Sequence, residues 1–245
     1  MTRYKLTIEY DGTDYVGWQR QDNGPSIQAE LEAAIQAFSD EDAIVHGAGR
    51  TDAGVHAVAQ TAHVDIEKDV DADTVRDAIN HFLREVPISV LQAEAVDEEF
   101  HARYAATARH YRYRILNRRP QPALDSGRVW WVRVRLDADA MADAAQELLG
   151  HHDFTSFRAS LCQAKSPMKT LDRLGVSRLG DEVVVEASAQ SFLHHQVRNI
   201  VGTLVMVGEG KWTRADVRAA LDARERAAAG PTAPAEGLCL LRVDY

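Results

Sequence analysis

The sequence predicts a fold that mixes β-strands and α-helices in both halves of the chain. One observation is a period-two pattern near the N-terminus, where apolar residues alternate with polar ones as in a half-buried strand: Tyr4, Leu6, Ile8 and Tyr10. The same alternation recurs in the second half, where basic residues separate Tyr111, Tyr113 and Ile115. That second strand should therefore have one aromatic face and one basic face.

Helices are expected between these strands. Ser26 can cap a first helix, whose apolar stripe recurs at spacings of three and four residues: Ile27, Leu31, Ile35 and Phe38. A second helix is expected over residues 73–84, and an apolar strand should follow around residues 88–96. The side chains that should face inward from the second helix are those of Val75, Ile79, Phe82 and Leu83.

Three further elements are expected in the second half. Residues 129–132 favour a strand, with Trp130 and Trp131 in the core or at a domain interface. The segment after Phe192 has helical spacing and carries Arg198. An Ala-, Pro- and Gly-rich loop over residues 227–237 should lead into a last strand, Leu238–Val243.

Composition predicts a soluble globular protein of the cytoplasm. The 245 residues are 45% hydrophobic, enough for one large or two small cores. No stretch approaches the roughly 20 apolar residues of a membrane span, and the N-terminus leads into a strand pattern instead of a signal peptide. Cys162 and Cys239 are too few for a disulfide framework, so both are expected to be reduced.

The charge balance bears on nucleic-acid binding in two opposite ways. A net charge of −9 argues against it, because affinity for phosphates comes largely from Lys and Arg. However, only five of the 28 basic residues are lysines, and arginine can both pair with phosphate and stack on a base. A compositional bias toward Arg and an adaptation to high salt are alternative explanations.

The strongest candidate for a functional site is the glycine-rich loop of residues 47–56, which carries Arg50 and Asp52. Its glycines do not have the G-x-G-x-x-G spacing of a dinucleotide site, and it lacks the Lys and Ser/Thr of a phosphate loop. Taken alone, the loop is more simply a tight turn. With a reference pKa of about 3.9, an aspartate could otherwise act as a nucleophile, a base or a metal ligand.

Motifs spread along nearly the whole chain strengthen the functional interpretation. They are Ala48-Gly49-Arg50-Thr51-Asp52-Ala53-Gly54-Val55-His56-Ala57, Tyr10-Asp11-Gly12-Thr13 with Gly17-Trp18-Gln19-Arg20, Arg109-His110-Tyr111-Arg112-Tyr113, His152-Asp153-Phe154-Thr155-Ser156-Phe157, residues 192–202, and Ala235-Glu236-Gly237-Leu238. Together, and in their order along the chain, they resemble the TruA family of tRNA pseudouridine synthases.

For the fold, the resemblance implies an α+β protein of two similar domains, with mainly antiparallel sheets side by side and the active-site cleft between them. We expect an N-terminal domain over residues 1–103, which carries the catalytic Asp loop. A C-terminal domain over residues 104–245 would complete the cleft and form the interface of a homodimer.

For the chemistry, the resemblance implies isomerisation of uridine to pseudouridine in tRNA, without a nucleotide, metal or redox cofactor. Asp52 would be the nucleophile, and Arg50 would fill the space that the flipped base leaves in the stack. Tyr111 would lie against the uracil and assist deprotonation at C5. Arg198 would pair with Asp52 and keep it ionised.

For the substrate, the resemblance implies the anticodon stem-loop at tRNA positions 38, 39 and 40. His194 and His195 are expected to pack or to contact RNA, because neither they nor His151-His152-Asp153 have a convincing spacing for metal ligands. Three alternatives stay open: a pseudouridine synthase for another RNA site, a non-catalytic tRNA-binding protein, and a hydrolase of glycosidic bonds. A hydrolase of the usual type needs a second carboxylate.

Overall fold

The computed structural model describes residues 1–160 and 162–245, which form two compact units. The first unit comprises Met1–Thr107 together with Cys239–Tyr245, and the second comprises Ala108–Leu238. The predicted domains placed the boundary after residue 103 and assigned the last strand to the second domain. In the structure, the last strand belongs to the first unit instead, because it pairs with a strand of that unit.

The described residues form strands and α-helices in the following order: β1 Thr2–Tyr10, α1 Ile27–Ser39, β2 His46–Gly47, β3 His56–Ile66, α2 Ala72–Phe82, β4 Ile88–Val96, β5 Ala108–Leu116, β6 Trp130–Trp131, α3 Ala138–Ala145, β7 Gly150–Asp153, β8 Met168–Leu171, β9 Arg173–Leu179, β10 Glu182–Ala189, α4 Gln196–Gly208, α5 Arg214–Ala223 and β11 Leu238–Asp244. Short 3-10 helices follow α3, β7 and α5 and precede β11. Within the described part of the chain, no helix combines the length and apolar character needed to cross a membrane.

The sheet of the first unit is mainly antiparallel. Its strand order is β4-β1-β3-β11, and only the short pairing of β11 with β3 is parallel. The alternating residues of β1 are buried as the sequence predicts, with exposed fractions of at most 2% for Tyr4, Leu6, Ile8 and Tyr10. Their burial fixes the register of β1, because a one-residue slip would move this whole apolar set to the opposite face.

The first helix begins at the predicted cap and buries Ile27, Leu31 and Ile35 of its predicted stripe, while Phe38 is half-buried. The Ser26 side chain accepts a hydrogen bond from the Ala29 amide at the start of α1. In α2, Val75 and Ile79 are buried, and Leu83 just after the helix is also buried. The inward position predicted for Phe82 is wrong, since its side chain is 47% exposed. Phe82 lies about 100° around the helix axis from Leu83, which takes the core position instead.

The sheet of the second unit is antiparallel along β5-β10-β9. On β5, Tyr113 and Ile115 are fully buried, whereas Arg112 pairs with Glu186 and Arg114 with Glu182 on β10. The predicted aromatic and basic faces are thus confirmed. The arginines support the pairing of β5 with β10, because cross-strand pairs of opposite charge stabilise a sheet. The predicted strand at residues 129–132 is shorter than expected, since only the two tryptophans pair with β5.

A cluster of three imidazoles lies on the sheet of the first unit. His63 on β3 is 2% exposed, and its ring centroid lies 4.9 Å from that of His46 and 4.6 Å from that of His101. The Ala102 amide donates a hydrogen bond to His63 Nδ1 at 3.2 Å. Burial lowers the pKa of His63 from 6.5 to about 4, with smaller contributions from His101, His46 and Arg3 that outweigh the opposing charge of Asp65.

This lowered pKa predicts a loss of stability in mild acid. Because the unfolded chain binds a proton at His63 near pH 6.5 and the folded chain only near pH 4, the free energy of unfolding should fall as pH falls through this window. Urea unfolding between pH 8 and pH 4 should show a flatter pH dependence in His63→Gln than in the wild type. The control His151→Gln removes an exposed imidazole on β7 and should leave the slope unchanged. Equal slopes for wild type and His63→Gln would contradict this prediction.

Candidate functional site

Asp52 lies in the loop that joins β2 to β3 in the first unit. The loop closes with a β-turn in which the Val55 amide donates to the Asp52 carbonyl at 3.1 Å. Gly54 occupies the third position of this turn with a φ of +77°. Few residues other than glycine adopt such a φ, which explains this glycine of the motif. The Asp52 side chain is half-buried, and Arg50 is exposed.

A second segment of the same unit supports the loop through its backbone. Gly17 forms an isolated antiparallel bridge with Asp52, and the Trp18 amide donates to the Thr51 carbonyl at 3.1 Å. The Gly54 amide donates to the Tyr15 carbonyl at 3.2 Å. The structure therefore brings together two motifs that lie about 35 residues apart in sequence, and main-chain hydrogen bonds join them.

Glycines make this close approach possible. A Cβ atom at Gly17 would lie 2.4 Å from the Thr51 carbonyl oxygen, and a Cβ at Gly12 would lie 2.0 Å from the Val55 carbonyl oxygen. At Gly47, a Cβ would lie within 2.7 Å of the Trp18 indole. All three distances are shorter than any tolerable contact. By contrast, a Cβ at Gly49 would meet no atom within 4 Å.

Buried side chains hold the residues on either side of Arg50. The hydroxyl groups of Tyr10 and Thr51 share a hydrogen bond of 2.8 Å, and both residues are almost fully buried. Gln60 is fully buried and donates from Nε2 to the Gly49 carbonyl at 2.9 Å. These two contacts fix the backbone before and after Arg50, while the guanidinium itself extends to the surface.

The second unit contains the remaining candidate residues. Tyr111 on β5 is 9% exposed, and the Phe192 ring meets it edge-on with a centroid distance of 5.2 Å. Such an edge-to-face pair restricts the orientation of the tyrosine ring. Phe192 belongs to the segment that precedes α4. Inside this unit, the structure therefore joins the motif Arg109–Tyr113 to the motif of residues 192–202.

The segment before α4 also presents both candidate histidines. His195 precedes the helix with a φ of +63°, an uncommon conformation for a residue other than glycine. The rings of His194 and His195 lie 4.0 Å apart between centroids, and the His194 carbonyl accepts a hydrogen bond from the Ala159 amide. The His194 side chain is exposed and that of His195 is half-buried.

Arg198 lies in the first turn of α4 and is tied to the loop that precedes β11. Its Nε donates to the Ala233 carbonyl at 2.8 Å, and the Ala233 amide donates back to the Arg198 carbonyl at 3.1 Å. The Pro234 carbonyl accepts a hydrogen bond from the Tyr113 hydroxyl at 2.7 Å. Burial raises the pKa of Tyr113, and the nearby Arg198 opposes that shift. Tyr113 is therefore a neutral support beside the guanidinium.

Close packing between α4 and this loop fixes the helix in place. A Cβ at Gly202 would lie 1.7 Å from the Pro231 carbonyl oxygen, so only glycine fits there. Asn199 is fully buried, donates to the Phe157 carbonyl and accepts from Thr232. These contacts bring Phe157, from the motif His152–Phe157, and the loop before the last motif to the helix that carries Arg198.

Sequence reasoning selected candidate side chains for the site but missed most of the contacts that support them. Tyr10 is predicted as a strand residue and as part of a motif, but its hydrogen bond to Thr51 and the roles of Gln60 and Asn199 are not predicted. The available signal was a buried polar residue inside an apolar element, as with Asn199 in α4. Such residues need specific hydrogen-bond partners, but sequence alone does not name them.

Chemically, the first unit offers an aspartate on a loop held by backbone contacts, next to an exposed guanidinium. A carboxylate held in this way can act as a nucleophile or as a base, since little reorganisation is needed. The second unit offers a phenol packed against an aromatic ring and a guanidinium anchored on a helix. An aromatic ring and cations are groups that stack on bases and bind phosphates.

Comparison with known proteins gives consistent matches over the full chain. A family model described as tRNA pseudouridine synthase matches residues 6–105 and 144–245. The chain is 61% identical to tRNA pseudouridine synthase A of Rhodospirillum centenum, covering 100% of both chains. It is 59% identical to the protein of that name from Paramagnetospirillum magneticum, covering 100% of this chain and 96% of the relative.

A further match, of 60% identity, is tRNA pseudouridine synthase A of Afipia carboxidovorans, with complete coverage of both chains. Among solved structures, a chain from the crystal structure of a Cbf5-Nop10-Gar1 complex covers 99% of this chain and 58% of its own length. Its TM-score is 0.37 and its sequence identity is 11%. A likeness at this level supports no conclusion about function.

The glycine contacts predict effects of very different size for two substitutions around the same loop. Gly17→Ala places a Cβ against the Thr51 carbonyl at a φ of +109°, so it should destabilise the protein by about 1–3 kcal/mol or more. Gly49→Ala meets no atom and should change stability by less than about 1 kcal/mol. Thermal unfolding of both variants would check this. A loss of stability in Gly49→Ala as large as in Gly17→Ala would contradict it.

Proposed function

The chain belongs to the tRNA pseudouridine synthase family, and on that premise we propose that it isomerises uridine in the anticodon stem-loop of tRNA with Asp52 as the nucleophile. Membership confirms the resemblance seen in the motifs and makes the protein an isomerase that converts uridine in tRNA to pseudouridine. The site residues and the modified positions are proposals that go beyond membership.

The observation that best supports Asp52 is the way its loop is held. A backbone bridge to Gly17 and the Asp52–Val55 turn hold the backbone of the residue that carries the carboxylate. The reaction breaks the C1′–N1 bond of uridine and joins C5 to C1′, so a nucleophile must be held in place while the uracil turns. A carboxylate that is positioned before the substrate binds lowers the entropic cost of that step.

Tyr111 and Arg198 are proposed to assist Asp52. Tyr111 would lie against the flipped uracil and help to remove the C5 proton, and its edge-on contact with Phe192 supports a fixed ring orientation. Arg198 would keep the catalytic carboxylate ionised. Its hydrogen bond to the Ala233 carbonyl supports this role, because an anchored cation acts more strongly than a mobile one.

Three exposed or half-exposed side chains are proposed to contact RNA. Arg50 would fill the space left by the extruded uridine, because a planar guanidinium can stack on neighbouring bases. His194 and His195 would contact the RNA near the start of α4. The exposure of Arg50 and His194 supports this assignment.

Positions 38, 39 and 40 of the anticodon stem-loop are the proposed targets. We further propose that the enzyme is a cytoplasmic homodimer. The motif resemblance supports each of these points. A synthase for a different RNA site would share the same aspartate chemistry, so mapping of the modified positions in tRNA from a deletion strain would decide between them.

Asp52→Asn should abolish turnover while keeping the fold and most of the tRNA affinity. An amide keeps the shape of the side chain but is not a nucleophile, so the C1′–N1 bond would not break. Release of tritium from tRNA labelled at uridine C5 measures the reaction, because C5 loses its hydrogen only when the new bond forms. Free-uracil release measured in parallel would reveal a hydrolase instead.

The matched control for this variant is Asp14→Asn, which removes the same charge from an exposed position in the segment that supports the loop. Asp14→Asn should retain turnover within about twofold, as expected for a surface substitution. Tritium release by Asp52→Asn at the wild-type rate would refute the nucleophile assignment. Binding of tRNA by the wild type without any release would favour the non-catalytic alternative.

Tyr111→Phe should reduce kcat strongly and leave KM nearly unchanged. The ring that packs on Phe192 is retained, whereas the hydroxyl proposed to act at C5 is lost. Tyr113→Phe is the control on the same face of β5. It loses the hydrogen bond to Pro234 and should cost about 1 kcal/mol of stability with kcat largely retained. Steady-state tritium release with both variants provides the measurement, and equal kcat values would contradict a special role for Tyr111.

A further inference from the structure

A cavity of about 700 Å³ lies in the second unit, just beyond the end of β5. Four arginines and one carboxylate line it: Arg118, Arg119, Arg133, Arg135 and Asp181. None of these residues belongs to the motifs that carry the proposed chemistry. We call this site the arginine cavity.

The positive charge of the arginine cavity is poorly neutralised. Residues 117–135 contain five arginines and a single acidic residue, Asp125, in a chain whose net charge is −9. Asp125 is itself paired with Arg114 at 3.1 Å. Arg118 lies 3.6 Å from Asp181. Within the described residues, no carboxylate lies within ion-pair distance of Arg119, Arg133 or Arg135.

Other arginines of this unit are commonly paired with acids. Arg112 and Arg173 both pair with Glu186, and Arg214 pairs with Asp143 and Glu147. Unpaired cations that converge on one cavity raise the local potential and attract an anion. The exposed guanidinium groups of the arginine cavity therefore differ from these three arginines, whose charges are matched by carboxylates.

A buried amide holds the cavity wall in place. Asn117 is 7% exposed, and its Nδ2 donates to the Val132 carbonyl at 2.9 Å and to the Val134 carbonyl at 2.6 Å. Its Oδ1 accepts from the Leu136 amide at 2.9 Å. These bonds clamp the backbone on both sides of Arg133 and Arg135. The cost of ordering the two arginines on binding is thereby reduced.

The chemistry of the cavity suits phosphodiester groups. A guanidinium pairs with phosphate through two parallel hydrogen bonds and is only weakly hydrated. Arg119, Arg133 and Arg135 are exposed, so they are accessible to a large polyanion. Arg133 also lies over the Trp131 ring, with its Cζ 5.7 Å from the ring centroid.

The position of the cavity fits a large ligand that also occupies the catalytic site. Asn117 follows Tyr111 by six residues along β5, which corresponds to roughly 20 Å of extended chain. When one uridine is extruded at the active site, the rest of the tRNA stays outside it. We propose that the arginine cavity binds backbone phosphates of the tRNA substrate at a distance from the reacting uridine, an inference that rests on the proposed function.

The first test is the double variant Arg133→Gln/Arg135→Gln. KM for full-length tRNA should rise about tenfold at low salt, with kcat unchanged, because two phosphate contacts are lost away from the chemistry. Each contact contributes about 0.7–0.9 to the dependence of log Kd on log salt, so this slope should become shallower by about 1.5. Binding to tRNA over a KCl series and steady-state tritium release provide the two readouts.

The control Arg76→Gln/Arg84→Gln removes the same charge from α2 and the turn after it, in the first unit. This variant should leave KM and the salt slope unchanged. Asp181→Asn tests the same idea in the opposite direction, since removing the one carboxylate of the cavity should lower KM for tRNA. The lower KM expected for Asp181→Asn does not depend on whether the arginine variants fold correctly. Thermal unfolding would check the fold of the arginine variants separately.

An active wild type whose KM and salt slope are unaffected by all three cavity substitutions would overturn this proposal alone. A wild type without tritium release would instead refute the proposed function. Sedimentation velocity adds a further discriminating outcome. If Arg133→Gln/Arg135→Gln changes the oligomeric state together with tRNA affinity, the cavity is a contact between copies of the chain, and the proposal is wrong.

Discussion

The candidate site of the first unit depends on the close approach of two backbone segments, residues 11–18 and residues 51–55. Gly12 and Gly17 lie so near the opposing carbonyls that no larger residue fits. Hydrogen bonds from Trp18 and Gly54 then join the segments at 3.1 and 3.2 Å. Asp52 is thus positioned by the main chain.

The second unit uses the same physical device around Arg198. Gly202 of α4 meets the Pro231 carbonyl, and the backbone groups of Arg198 and Ala233 are joined by a hydrogen bond. Buried polar residues such as Asn199 complete the contact. In both units, a loop without regular structure is made rigid by glycine-to-carbonyl packing and buried hydrogen bonds. Loops held in this way can position functional groups while remaining at the surface.

Arginine has two distinct roles in this acidic chain. On β5, Arg112 and Arg114 pair with carboxylates of β10 and strengthen the sheet. In the arginine cavity, Asn117 clamps a segment whose guanidinium groups have few acidic partners. The net charge of −9 is therefore a poor guide to nucleic-acid binding, because affinity for phosphates depends on local clusters of cations.

The sequence by itself determined the helices and strands whose periodicity is strong, such as β1, α1 and β4. It also determined the family, because the motifs that carry Asp52, Tyr111 and Arg198 occur in a recognisable order. Local patterns suffice for these features, since side-chain periodicity and turn chemistry act over a few residues. Local patterns gave the wrong burial for Phe82, which lies in the last turn of α2 and is exposed.

Only the tertiary structure decided which residues support the site. The contacts of Gly17 with Thr51 and of Gly202 with Pro231 join positions about 30 residues apart. The partners of Gln60 and Asn199 and the convergence of Arg118 with Arg133 and Arg135 are likewise non-local. Such pairings depend on how the whole chain packs, and neither residue type nor spacing encodes a contact between distant segments. A sequence can therefore name candidate side chains for the site, whereas the backbone contacts that hold them follow only from the fold.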